Sequence, residues 1–461
     1  MNKQNVILIF DIGKTNKKLL LFNEGYNIVH EESTRLDEVK DEDGFPCEDV
    51  HALTTWIKNA FEKLYNHPSF EIKAINFSGY GASFVHLDKD GKVCTPLYNY
   101  LKPYPEELKQ QFYNTYGGES LLSKQTASPV LGNLNSGLQL YRLKYEKPDV
   151  YAQIKYTLHL PQYLSYIISS KTATDITSIG CHTHLWNFQK EDYHNWVYKE
   201  AIQKKFPAIY PANSTANITV NDKTMPVGFG LHDSSAALIP YLKSFTEPFI
   251  LISTGTWCIS LNPFNSSVLS DYELHNDCLC FLSYLAKPVK ASRLFAGNEH
   301  EQQIKRLSVH FNTDEGRYKT VVFDNAILKK LDKKNRTKTI ETSTAMVQQS
   351  IFASRPLQNF ETYEEAYHQL MLDIIAQQVF STKLVLNNTT VKKIFVDGGF
   401  GKNDVFMNLL ASAFPNIAVF AASIPQASSL GAALVLHHHV NGNAVIPALI
   451  NLKYYPAKNI S

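Results

Sequence analysis

Four short stretches hold residue types that can do chemistry on a phosphate. The first is Asp11-Ile12-Gly13-Lys14-Thr15-Asn16-Lys17-Lys18, set between the apolar runs Val6-Ile7-Leu8-Ile9-Phe10 and Leu19-Leu20-Leu21-Phe22. Its glycine, hydroxyl and amide groups can expose backbone N–H donors, its lysines supply cations, and Asp11 can hold a metal ion. An ordinary charged hairpin uses the same residues. The second is Gly228-Phe229-Gly230-Leu231-His232-Asp233-Ser234-Ser235, where a glycine-bearing strand runs into a small-residue helix. Asp233 is then either the cap of that helix or a general base aimed into a cleft, with the helix start facing phosphate. A cap alone explains Asp followed by Ser-Ser-Ala-Ala.

The third stretch, Phe249-Ile250-Leu251-Ile252-Ser253-Thr254-Gly255-Thr256-Trp257-Cys258-Ile259-Ser260-Leu261, repeats the opening pattern of apolar strand, Gly/Thr turn and apolar strand. Two such hairpins, one near the start of each half, point to a duplicated domain. The fourth is Asp397-Gly398-Gly399-Phe400-Gly401-Lys402-Asn403, between the strand Lys393-Ile394-Phe395-Val396 and a helix over 405–414. It matches neither the Walker loop nor the dinucleotide fingerprint, but a glycine-rich strand-to-helix loop can cradle a flat ligand or a phosphate.

These turns need scaffolding, and the rest of the chain reads as α/β. Helical spacing runs over 51–64 and 363–386, the latter as a long amphipathic helix. The strand Ile72-Lys73-Ala74-Ile75-Asn76-Phe77 ends in Ser78-Gly79-Tyr80-Gly81-Ala82-Ser83, small residues at the kind of strand end where α/β proteins bind ligands. The aromatic loop Leu97-Tyr98-Asn99-Tyr100-Leu101-Lys102-Pro103-Tyr104-Pro105 could face a sugar ring or simply pack. Asp175 reads as a helix cap. Arg293, Asn298, Glu299, His300 and Glu301 read as a solvated helix face, the run 329–338 as a solvated basic stretch, Cys278 and Cys280 as buried thiols, and His437-His438-His439 as a surface tract.

Composition narrows the classes. A chain of 461 residues exceeds one usual hydrophobic core, so two domains are expected, divided as 1–244 and 245–461. Forty-five basic residues against 43 acidic ones give no reason to expect nucleic acid. No apolar run approaches the roughly 18 residues of a membrane span. Six cysteines in so long a chain are no disulfide framework, which favours a reducing cytoplasmic setting.

In this order, the motifs resemble the FGGY carbohydrate kinases, within the actin-like and hexokinase-like ATPases, from about residue 5 to about residue 437. The opening Asp-x-Gly-x-Thr turn is similar to the family's first phosphate loop, Gly228-x-Gly-x-x-Asp233 to its catalytic segment, and Gly255-Thr256 to its second phosphate loop. Asp397-Gly398-Gly399 with residues 426–433 is similar to its adenosine motif. The resemblance implies two ribonuclease-H-like lobes around a central cleft, with ATP and Mg²⁺ as cofactors and a small-molecule sugar as acceptor. A homodimer is compatible with it. Residue by residue, it implies Asp233 as catalytic base and Asp11 as metal holder. It places Gly13, Lys14, Thr15, Asn16, Lys18, Gly255 and Thr256 at the phosphates, and Gly398, Gly399 and Asn403 at the adenosine. Gly79, Tyr80, Asn99, Gln162, His232 and Asp233 are the candidate sugar contacts.

The chain departs from the family at Tyr80-Gly81, where many members have Gln-Met or Gln-His, and at Tyr98-Asn99-Tyr100-Leu101-Lys102, where many have Trp-x-Asp-x-Arg. Aromatic and apolar surface there suits a 6-deoxy ketose such as rhamnulose or fuculose. Xylulose, ribulose or another polyol, or a non-catalytic sugar or nucleotide sensor, are the alternatives.

Overall fold

The computed structural model describes residues 3–335 and 351–459. The first half is built on strands β1 (Gln4–Ile12), β2 (Lys17–Asn23), β3 (Ile28–Thr34), β4 (Phe70–Gly79), β5 (Thr215–Val220), β6 (Lys223–Gly228) and β7 (Leu231–His232). They form one sheet in the order β5-β6-β4-β1-β2-β3, with β7 pairing the end of β4. β1–β2 and β2–β3 are antiparallel, whereas β1–β4 is parallel. The second half repeats this arrangement with β8 (Phe249–Thr254), β9 (Cys258–Asn262), β10 (Cys278–Leu282), β11 (Pro288–Leu294), β12 (Lys393–Gly398), β13 (Ala418–Ser423) and β14 (Asn451–Tyr455). Their order is β10-β11-β9-β8-β12-β13-β14. Here again an antiparallel hairpin, β8–β9, has its first strand paired in parallel, to β12. The duplication read from the two Gly/Thr turns is therefore a duplication of topology, the two-lobed ribonuclease-H-like α/β fold.

Strand burial explains the uninterrupted apolar runs. Alternate side chains of a strand serve opposite faces. In β1, Val6, Leu8, Phe10 and Ile12 join an outer core with helix α1 (Val50–Tyr65), while Ile7 and Ile9 enter a different, central core. In β8, Ile250 and Ile252 face the outer core of the second lobe, and Phe249 and Leu251 enter that same central core. The central core is thus shared by the two sheets. It is filled mainly by two helices, α2 (Asp233–Ser244) and α3 (Ala427–Leu434), through Leu238, Ile239, Tyr241, Leu430 and Leu434.

Small residues let α2 and α3 touch backbone to backbone. A Cβ on Gly431 would lie 1.9 Å from the Ala236 carbonyl oxygen. Asn76 of β4 donates to the Ala432 carbonyl at 2.8 Å, fastening α3 to the first sheet as well.

Several local expectations are refined. Asp175 caps the helix Ile176–Ile179 by accepting from the Thr177 and Ser178 amides. Cys278 and Cys280 are buried. The helix Tyr363–Leu386 is not simply amphipathic: it buries polar Gln378, Thr382 and Asp373 along with its apolar residues. In the histidine tract, His437 is buried with Nδ1 against the Tyr26 hydroxyl, so the tract is only partly a surface feature. The basic run begins inside helix Asn325–Asn335, and its positions 336–338 lie outside the described residues. Among the described residues no helix is long and apolar enough to cross a membrane.

Gly431→Ala weighs two effects against each other. Alanine favours an isolated helix by about 1 kcal/mol over glycine. Overpacking a backbone contact costs roughly 1–3 kcal/mol, occasionally more. With the Cβ at 1.9 Å the steric term wins, so the variant should unfold at lower denaturant than the parent; an equal or higher midpoint would contradict the α2–α3 contact.

Candidate active site

The segment 228–233 is shaped by its neighbours rather than by its own propensities. Gly228 packs against Asn76, whose Oδ1 would be 2.3 Å from an added Cβ. Gly230 adopts a left-handed φ of +83°, with the Pro161 carbonyl 2.4 Å from where a Cβ would sit. Gln162 clamps the loop by donating to the Phe229 and Gly230 carbonyls at 3.3 and 3.0 Å, and Ser165 donates to the Gly228 carbonyl. The glycines let the chain pass between these partners and deliver His232 into pairing with Gly79.

Asp233 follows as the first residue of α2, not as its cap; His232 holds that position. Its Oδ1 accepts from the Ser234 amide at 2.5 Å and the Ser234 hydroxyl at 3.2 Å, and lies 3.3 Å from His232 Nε2. Among the described residues no hydrogen bond is made to Oδ2. The side chain keeps about a third of its exposure (35%) at the floor of the cleft, where the surrounding protein pushes its pKa up to about 6 against the opposing Ser234 hydrogen bonds.

Asp233 lines a cavity of about 220 Å³ whose walls come from both lobes: Ser234 and Ala237 from one side, Ser253, Ile259 and Asp397 from the other, closed by Ala427 and Ser428. A larger cavity of about 470 Å³ lies in the second lobe, lined by Gly255, Thr256, Gly297, His300, Glu301, Tyr318, Gly399 and Asn403 among others. Segments 253–256 and 397–399 border both spaces, so the turn at the end of β8 stands between a nucleoside-sized cavity and the Asp233 carboxylate. At Gly255 and Gly399 an added Cβ would meet nothing within 4 Å, leaving open space beside them, while their N–H groups donate to the Trp257 and Thr254 carbonyls. Gly398 instead buttresses the turn, its φ of +87° placing its backbone against the Thr254 carbonyl. Asn403 caps the helix Asp404–Ala413 and donates to Tyr367, which fixes its side chain at the cavity wall.

The first turn meets the cleft through α3. Asp11 Oδ2 accepts from the Ser428 and Ser429 hydroxyls at 2.6 and 2.7 Å. Burial raises the proton affinity of Asp11, the nearby Asp233 carboxylate adds to this, and the serine hydroxyls oppose it. Lys18 donates to Gln426 Oε1 at 2.9 Å, and Gln426 in turn donates to Glu31. Lys14 pairs with Glu38, Asn16 accepts from Arg35, and Thr15 is exposed. Gly13, Lys14, Thr15 and Asn16 line neither cavity.

The third lysine, Lys17, is buried. Its Nζ donates to the Gly13 and Lys14 carbonyls of the turn and pairs with buried Glu48. Glu48 also accepts from the Tyr80 hydroxyl at 3.0 Å. The Tyr80 hydroxyl is therefore committed, and its ring meets Tyr100 edge-on. Asn99 is likewise used in its own turn, donating to the Pro46 carbonyl and accepting from the Leu101 amide.

Sequence reasoning missed several residues here. His300 and Glu301 line the larger cavity instead of forming a solvated face, together with Gly297 and Ile304 of the helix Ala296–Phe311. The spacing 297, 300, 301, 304 is one helical face and was the available signal. Lys17 and Glu48 carried none, since their pairing spans 31 positions.

The donors fit ATP and Mg²⁺. The open space beside Gly255 and Gly399 leaves room for phosphate, the larger cavity suits a nucleoside, and the carboxylates of Asp11, Asp233 and Asp397 are hard oxygen ligands of the kind Mg²⁺ takes.

Fold and site together define a two-lobed, actin-like and hexokinase-like α/β protein with a nucleotide-sized pocket beside a smaller cavity that holds a partly exposed carboxylate. Family models match both lobes, the FGGY family of carbohydrate kinases N-terminal domain over residues 6–239 and the carbohydrate kinase FGGY C-terminal domain over 246–444. The chain belongs to the FGGY family of carbohydrate kinases. It is 24% identical over 266 residues to the rhamnulokinase of Halalkalibacterium halodurans, covering 55% of this chain and 56% of that protein. It is 22% identical over 290 residues to the L-fuculokinase of Escherichia coli K12, covering 59% and 60%. The chain thus matches a little over half the length of these relatives. A carbohydrate kinase from Novosphingobium aromaticivorans shares the fold over 100% of this chain and 96% of its own, with a TM-score of 0.82 at 23% identity.

Removing one partner of a buried ion pair costs roughly 3–5 kcal/mol, while replacing both by apolar groups is often near neutral. Glu48→Ala should therefore destabilise strongly, and Lys17→Met with Glu48→Leu should recover most of the loss in urea unfolding. Additive losses in the double variant would contradict the pairing.

Proposed function

We propose that this protein is an ATP-dependent sugar kinase that phosphorylates a hydroxyl of a ketose, the acceptor being a 6-deoxy ketose such as rhamnulose or fuculose. The observation that carries the reading is the placement of Asp233, with a free carboxylate oxygen, in a cavity whose opposite wall includes Ser253 and Asp397, next in the chain to the Gly255 and Gly399 that border the larger cavity. ATP would supply the phosphoryl group, and Asp11 would hold the Mg²⁺ that offsets its charge.

The residues then have separate tasks. Phosphoryl transfer asks mainly for positioning and charge stabilisation. Asp233 accepts the proton of the attacking hydroxyl through Oδ2, while Ser234 holds Oδ1 and fixes the carboxylate plane. Gly255 and Thr256 present backbone to the phosphates from one lobe. Lys18 supplies cationic charge from the other, leaving Gln426 as the lobes close. Closure excludes water from the acceptor site, which limits hydrolysis. The acceptor lies between Asp233, His232 and the aromatic pair Tyr80–Tyr100, whose apolar faces suit a methyl group better than another hydroxyl. The names of the two relatives, rhamnulokinase and L-fuculokinase, support this acceptor class.

The test is ADP formation with rhamnulose, fuculose, xylulose, ribulose and glycerol. A 6-deoxy ketose should give the highest kcat/KM; strong preference for glycerol would overturn the acceptor assignment. The base must be ionised to act, so kcat/KM should rise as pH increases through about 6 and level off above it. Asp233→Asn should reduce kcat roughly 10²–10⁴-fold and remove that limb; retained activity would exclude Asp233 as the base.

A further inference from the structure

A second cluster of ligating side chains lies against the acceptor site; of its members only His232 has a part in the mechanism above, as an acceptor contact. It combines the loop after the helix Ile176–Ile179 with the end of β7. Cys181 Sγ is 3.2 Å from His232 Nε2, and the donor atoms of Cys181, His182 and His232 all lie within 4.8 Å of one another. We propose that Cys181, His182 and His232 form a binding site for a thiophilic divalent cation such as Zn²⁺, separate from the magnesium position at Asp11.

Each side chain is prepared for coordination. His182 is held with Nδ1 against the Leu134 carbonyl at 3.0 Å. As the neutral Nδ1–H tautomer it leaves the Nε2 lone pair free, and such a carbonyl partner is what orients metal-bound histidines. His182 sits at φ +32°, unusual for a residue with a side chain. Strained backbone of this kind concentrates at ligand clamps. Buried His232 has no hydrogen-bond partner at Nδ1, so placing its proton there leaves Nε2 as a lone pair aimed at Cys181. Gly81 makes room for that ring, since a Cβ there would be 2.9 Å from His232 Nε2.

One donor pair already has the spacing a zinc tetrahedron requires. Zinc bonds of about 2.3 Å to sulfur and 2.0–2.1 Å to nitrogen require donors roughly 3.3–3.6 Å apart. The Cys181–His232 pair is already near that spacing at 3.2 Å, and the His182 donor lies within 4.8 Å of both. One thiolate and two imidazoles favour zinc over magnesium or calcium, which prefer oxygen. Binding releases the Cys181 thiol proton to solvent as the sulfur coordinates. The fourth position falls beside Asp233, whose Oδ1 is 3.3 Å from His232 Nε2. If the kinase reading holds, the bound cation draws on the catalytic carboxylate and inhibits in competition with the sugar.

Titration of the full-length protein with Co²⁺ tests binding without requiring turnover. One equivalent should produce thiolate-to-cobalt charge-transfer absorption that Zn²⁺ abolishes. The absorption should be absent in Cys181→Ser, and Co²⁺ affinity should fall about tenfold or more in His182→Ala. Should Cys181→Ser fail to fold, the His182→Ala titration decides. Absence of the band in the parent, its persistence in folded Cys181→Ser, or unchanged affinity in His182→Ala would each overturn the site. Because the signal is spectroscopic, a failed kinase assignment would leave this result standing.

Discussion

The architecture depends on the close crossing of two helices, one from each half of the chain. Gly431 and Ala236 meet at backbone distance, which only the small residues of these helices permit. That contact sets the separation of the two sheets and closes a core to which both contribute. It also brings the start of Ala427–Leu434 over the first turn, where Ser428 and Ser429 bind Asp11 and Gln426 binds Lys18. The cleft chemistry is therefore tied to helix packing: moving the crossing moves the carboxylates relative to one another.

Glycines around the cleft divide into two kinds, and the division has functional content. Gly228, Gly230 and Gly398 are enclosed by protein and shape the chain path. Gly255 and Gly399 face open space that leaves room for a ligand. The same residue type serves scaffolding in one case and recognition in the other. Charge is divided similarly. Of the lysines in the first turn, Lys17 is spent inside the fold on Glu48 and the turn carbonyls, Lys14 pairs with Glu38, and Lys18 sits at the junction with the second lobe.

The repeated hairpin, the α/β class and the segment leading to Asp233 were legible in the sequence because each is local: apolar runs, a glycine turn, a change from strand to helix periodicity. Less legible were features made by partners distant in the chain. Nothing near Lys17 announces Glu48, and nothing near Asp11 announces Ser428. The choice between cap and base at Asp233 depended on one residue of register, because His232 takes the cap position and leaves the carboxylate to the cleft. His300 and Glu301 looked solvated because charged residues surround them in sequence, yet their helical face borders the larger cavity. Gln162 and Asn99, expected from the resemblance as sugar contacts, already donate their amide nitrogens to backbone carbonyls.

The central claim is that turns from both lobes converge on one triphosphate opposite Asp233. A crystal structure with Mg²⁺ and a non-hydrolysable ATP analogue tests it most directly. The account predicts the nucleoside beside Gly399 and Asn403, the terminal phosphate between the Asp11 turn and Gly255–Thr256, and the Asp233 carboxylate facing that phosphate across the acceptor space. A triphosphate directed out of the cleft, or one reached by only one of the two turns, would contradict it.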